Sequence, residues 1–202
     1  MWSFTRTVLF VPTALRNKAD WSAKAMRLVI IATTLTWLQS GKLLWFLVGA
    51  VCTALTFLPA AWIQDPALRT ASSLCASTLL FAHVVFGMQA GFYETSTVYD
   101  KVVHMLGCSA IAGLVITAIS HYCARRNIHL PLPLLLLLAI GIVVSLGTMW
   151  EMFEFALDRT GLFQAQRGLT DTMLDLVADL FGALAAMTVF AFRARRTVRA
   201  AP

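Results

Sequence analysis

The sequence predicts an all-α, polytopic membrane protein of about six transmembrane helices, and three observations carry that reading. Of 202 residues, 59% are hydrophobic and 13% charged, against about 45–50% and about 25% in an ordinary soluble domain. Mean hydropathy is +0.76. The apolar residues fall into six runs separated by polar or turn-forming clusters, and a helix needs roughly 20 residues to cross about 30 Å of hydrocarbon. This much apolar surface excludes a disordered chain and a nucleic-acid-binding domain, and four scattered cysteines are too few for a disulfide scaffold. The expected partner is the lipid bilayer, and the formal charge of +6 needs a membrane explanation.

Residues 1–27 mix Trp2, Phe4, Leu9, Phe10 and Trp21 with Arg6, Arg16, Lys18, Lys24 and Arg27, which suits a basic amphipathic or flexible segment on an anionic membrane surface. The apolar run at 8–11 stops at Pro12 and is too short for the core of a signal peptide, so the segment is expected to stay on the chain. A six-helix transmembrane domain is expected over 28–192. Its first run, 28–39, has twelve residues and spans only about 18 Å as a helix, so it must borrow from 21–27 or be re-entrant. The other runs are 43–63, 67–89, 100–122, 132–157 and 171–192, with Gly, Pro and charged residues punctuating the joins. Residues 193–202 form a basic tail. Cys52, Cys75, Cys108 and Cys123 make no C-x-x-C pair and lie in or beside apolar runs, as structural thiols do. With six crossings and both termini cytoplasmic, 12 of the 16 basic residues fall on the cytoplasmic side, as the positive-inside rule asks of a bacterial inner-membrane protein.

That orientation puts eight of the ten acidic residues in the outer half. The fourth run begins Tyr99-Asp100-Lys101-Val102-Val103-His104, which places Asp100 and His104 four apart on one helix face, with Gly107 and Cys108 a turn deeper. The fifth ends Trp150-Glu151-Met152-Phe153-Glu154. The sixth opens with Asp171, Asp175 and Asp179 at a spacing of four, a stripe that descends about 12 Å along the axis. A carboxylate in hydrocarbon costs about 2.5–3.5 kcal/mol at the bilayer centre, so the stripe must face the bundle interior. Beside it run Ala178, Gly182 and Ala186, small residues that admit a neighbouring helix backbone. Ser109 and Gly113 on the fourth helix offer the matching face.

Simpler roles compete for single residues. Asp100 and Asp171 suit helix N-caps, Glu154 and Asp158 suit solvated helix exits, and His83 suits a hydrogen-bonded interior histidine. His121 and His129 belong to the cytoplasmic side. The set His104, Glu151, Asp175 and Asp179 lies too deep for capping, and intramembrane ionisable residues are functional candidates.

Three blocks, Tyr99 to Gly107, Trp150 to Glu154 and Asp171 to Gly182, resemble the YjdF-like family of bacterial inner-membrane proteins and, more distantly, VanZ-like membrane proteins. Here Gly107 falls one position early, and Asp179 is an addition to the pattern. The resemblance implies a polytopic inner-membrane protein and no particular reaction.

The residues themselves suggest a divalent-metal site from His104, Glu151, Glu154, Asp171 and Asp175, with Asp100 and Asp179 beside it. Carboxylates with one imidazole suit Mn, Fe or Zn. Such an ion would serve hydrolytic chemistry at the lipid surface, with His104, Glu151 and Asp175 as the catalytic group. Two alternatives remain open: a structural polar network in a non-catalytic membrane partner, and a proton-coupled transporter relaying through His104, Asp175 and Asp179.

Overall fold

The computed structural model describes residues 13–161 and 164–199, with side chains through residue 192. Among the described residues the regular structure is helical, without strands. Among the described residues, five segments are long and apolar enough to cross a membrane: Leu43–Trp62, Pro66–Gln89, Tyr99–Arg125, Leu132–Arg159 and Leu169–Phe192. The chain divides into two compact units, one ending at Tyr99 and the other running from Asp100 onward.

In the first unit, α1 (Thr13–Gln39) is one uninterrupted helix, so no break separates the basic segment from the first apolar run. Residues 1–12 of that expected segment lie outside the described residues. At 27 residues, α1 has the length of a crossing, but its first half carries Arg16, Lys18, Asp20, Lys24 and Arg27, and it is not among the five apolar spans. Arg27 donates to the carbonyl of Thr56 at 2.8 Å and lies over the Phe57 ring, so its charge meets the last turn of α2 (Leu43–Leu55). The second span resumes as α3 (Leu58–Trp62) after a break beside Pro59, whose missing N–H cannot continue the helical ladder. Helix α4 (Pro66–Phe81) is capped by Asp65, which accepts from the Leu68 N–H at 2.9 Å. It continues as a π-helical segment, Ala82–Gln89. There Ala82 offers its carbonyl to the Tyr99 hydroxyl at 2.9 Å. His83 is hydrogen-bonded to Tyr93 at 2.8 Å, as expected. Tyr93 lies on or beside the short α5 (Phe92–Thr95), and Gly87 makes room for its ring. Ile30, Trp37, Cys52 and Val84 form this unit's core.

The second unit consists of α6 (Tyr99–Arg125), α7 (Leu132–Arg159) and α8 (Leu169–Arg199). Helix α8 continues past 192, through most of the expected tail. Two small apolar clusters join the three helices: Cys108, Ala112, Val143 and Ala183, and then Ile116, Leu135 and Ala139. These are mostly small residues, as lipid-embedded packing requires, because lipid tails are as apolar as leucine and close contact must supply the attraction. Large apolar side chains such as Leu137, Met149 and Phe181 point outward. At Gly182, α8 lies against the backbone of α6, since a Cβ there would collide with the Met105 carbonyl and crowd the Ser109 N–H. The expected pairing therefore runs through Ser109 but not Gly113, which has open space where a Cβ would be.

Gly182→Ala should lower the thermal midpoint in detergent, with a loss of about 1–3 kcal/mol because rigid backbone cannot yield. Gly113→Ala should leave the midpoint unchanged or raise it.

Candidate functional site: a buried carboxylate and histidine cluster

The site assembles where the start of α6, the end of α7 and the start of α8 meet. Ser96 accepts hydrogen bonds from the N–H groups of Val98 and Tyr99 at 3.3 and 3.1 Å. It thereby takes the capping role at α6, and Asp100 turns inward, only 8% exposed. One turn on, His104 stands between three carboxylates. Its Nδ1 is 3.0 Å from Asp179 Oδ1, and its Nε2 lies 3.6 Å from Glu151 Oε1 and 3.8 Å from Asp100 Oδ1. A carboxylate that accepts from Nδ1–H fixes the ring and leaves the Nε2 lone pair facing the other acids. Asp179 also accepts from the Cys108 thiol at 3.0 Å.

Glu151, Asp175 and Asp179 are 4%, 1% and 1% exposed. Glu151 Oε1 and Asp179 Oδ2 are buried without a hydrogen-bond partner. Gly147, one turn before Glu151 on α7, leaves the space that Asp179 occupies, since a Cβ there would overlap its carboxylate. Atoms of Asp100, His104 and Asp175 lie within 4.8 Å of one another, an arrangement able to hold a metal ion.

Positive charge enters from Lys101, adjacent to Asp100 and a turn away from His104. Its ammonium hydrogen-bonds to Asp171 and, at 3.3 Å, to Asp175 Oδ2, with Asp175 Oδ1 at 3.1 Å and Asp100 at 3.7 Å. Arg167 lies 3.7 Å from Asp100 and 3.6 Å from Asp171. Asp171 is the third residue of α8, not its expected N-cap; it accepts from the Arg167 N–H at 3.3 Å and adds ion pairs to Lys101 and Arg167. Asp158 accepts from the N–H groups of Ala165 and Gln166 at 2.6 and 2.9 Å. That anchor lets the Gln166 amide reach the Glu151 carbonyl at 3.0 Å and its Oε2 at 3.2 Å.

Over residues 22–196 the chain matches the family described as "Predicted membrane protein (DUF2238)". It belongs to that family. A Thermotoga maritima protein described as an "Uncharacterized protein" is 33% identical over 114 residues, which are 55% of this chain and 57% of that protein. The chain thus spans a little over half of that relative's length. No solved structure matches.

In this DUF2238 member, the expected residues divide into two groups. His104, Glu151, Asp175, Asp179 and Asp100 converge. Glu154 accepts from the Trp150 indole N–H at 2.7 Å and lies close enough to Glu151, Asp100 and His104 to interact with their charges, Asp171 is engaged by Lys101 and Arg167, and neither is among the three residues whose ligand atoms lie within 4.8 Å of one another. Lys101, Arg167, Gln166 and Gly147 are site residues that sequence reasoning missed. Lys101 had a signal, its place between Asp100 and His104 on a helix carrying no other lysine or arginine until Arg125.

Removing Lys101 leaves Asp171 and Asp175 with a buried, unbalanced charge, so Lys101→Met should destabilise the protein by about 3–5 kcal/mol. Arg167→Gln, at a more exposed and longer-range pair, should cost no more than about 1 kcal/mol. Thermal melts of both variants check the contrast, and equal effects would contradict it.

Proposed function

We propose that this end of the α6–α8 unit is a divalent-cation site serving hydrolytic chemistry at the membrane surface. One observation carries the reading: Asp100, His104 and Asp175 offer ligand atoms within 4.8 Å of one another, beside the buried Glu151 and Asp179 oxygens that have no hydrogen-bond partner. Charge supports it. Asp100, Glu151, Asp171, Asp175 and Asp179 face two permanent cations, Lys101 and Arg167, while His104 is neutral when it ligates an ion, so the carboxylates outnumber the cations and a divalent ion would offset most of the excess. Unpaired buried charge is costly, and a carboxylate and imidazole donor set suits Zn, Mn or Fe.

Asp100, His104 and Asp175 would hold the ion, with Asp179 orienting His104 from behind. Such an ion supplies Lewis-acid activation of water toward an ester, amide or phosphoester. Glu151, whose Oε1 accepts no hydrogen bond, takes the proton of the attacking water. Lys101 shares Asp175 with the ion and limits how much negative charge the ion meets. On the orientation favoured by the basic residues, this end faces outward in a bacterial inner membrane.

The Lys101 ion pairs favour a second reading, a structural network that locks three helices together. Asp175→Asn separates the two. For a cation site, metal content measured by mass spectrometry after Mn2+ loading should fall from about one ion per chain to background, while the thermal midpoint holds or rises as carboxylate repulsion eases. Metal-free wild-type protein, or unchanged metal in Asp175→Asn, would favour the structural network. In that case Asp175→Leu should destabilise by about 1–3 kcal/mol through the partners left unpaired.

A further inference from the structure

A groove of about 450 Å3 lies between the end of α7 and the start of α8, lined by Thr148, Glu151 and Phe155 on one side and by Gln166, Thr172 and Leu176 on the other. Its volume is in the range of small-ligand sites, roughly 300–1,000 Å3. Two properties define what fits it. First, its outer walls are apolar and turned outward within membrane-spanning helices: Met152 is 65% and Phe155 58% exposed. An occupant there keeps hydrocarbon against hydrocarbon.

Second, Thr148 and Gln166 at its polar floor have committed their hydrogens inside the protein. Thr148 donates to the Val144 carbonyl at 2.9 Å. The Gln166 amide donates to the Glu151 carbonyl and Oε2. What these side chains and Glu151 offer an occupant is therefore acceptors: a hydroxyl oxygen, an amide oxygen and a carboxylate, with the Thr172 hydroxyl beside them. Glu151 joins the groove to the cluster, since its Oε2 is held from the Gln166 side while Oε1 faces His104.

We propose that this groove binds a membrane phospholipid with a primary ammonium head, its acyl chain along Met152, Phe155 and Leu176 and its N–H donors toward Thr148, Thr172 and Glu151. The inference deepens the hydrolytic reading by naming an amphiphile that reaches the site laterally from the bilayer.

The test is native mass spectrometry of the full chain, purified in detergent, delipidated and kept in EDTA, titrated with dioleoyl phosphatidylethanolamine or dioleoyl phosphatidylcholine. The two lipids share chains and phosphate and differ in N–H donors. The ethanolamine lipid should give one saturable adduct, bound about tenfold or more tightly than the choline lipid, the size of a charge-assisted hydrogen bond. Thr148→Trp, or Leu176→Trp where the first variant fails to fold, should fill the groove and weaken that adduct by about tenfold or more. Equal affinity for the two lipids, graded adducts without saturation, or unchanged binding in a folded Trp variant would overturn the proposal. Because chelator is present throughout, a failure here is separate from a failure to find metal in the Asp175 experiment.

Discussion

Buried carboxylates at the meeting point of three membrane helices set the terms for everything around them. Glu151, Asp175 and Asp179 have almost no exposed surface, so most of the donors and cations that meet their charge must come from the chain or from a bound ion. Lys101 sits where it reaches Asp171 and Asp175 at once. His104 is clamped by Asp179, and Gln166 is drawn in by Asp158 holding the backbone ahead of it. Each of these contacts serves the acids first and helix packing second.

The helices can meet this demand because their contact faces are small. Gly147 yields its volume to the Asp179 carboxylate, and Gly182 lets α8 rest on the backbone of α6 at Met105 and Ser109. Without side chains at those two positions, backbone separations shrink and short side chains such as Asp can bridge between helices. The small residues thus determine which polar groups touch, and the acids determine why the contact matters. The groove between the end of α7 and the start of α8 runs beside Glu151 and is lined by it.

Hydropathy made the later spans legible to within a few residues, because a run such as 132–157 has no soluble alternative. The first helix was harder to read: α1 extends through Arg16, Lys18, Lys24 and Arg27, and only a tertiary partner, the Thr56 carbonyl, shows where the last of those charges goes. Spacing placed His104, Glu151, Asp175 and Asp179 at a common depth, and helical periodicity put Cys108 on the same face. Periodicity does not say which acid a helix start uses for capping. Ser96 performs that task for α6 and frees Asp100 for the cluster. Nor does periodicity report that Glu154 turns to the indole of its own helix. Lys101 stands between Asp100 and His104 in the sequence, but its role shows only through its partners on another helix. In the π-helical segment Ala82–Gln89, Ala82 accepts a hydrogen bond from Tyr99, ten residues beyond the end of the segment, a distance at which local pattern carries no information.

The central claim is that these carboxylates, with His104, hold a divalent cation. The most direct measurement is electron spin echo spectroscopy of the full chain loaded with Mn2+, which detects nitrogen bound to the ion. The account predicts nitrogen modulation from a single imidazole that disappears in His104→Gln. Bound Mn2+ without nitrogen modulation in the wild type, or no protein-bound Mn2+ at all, would contradict it.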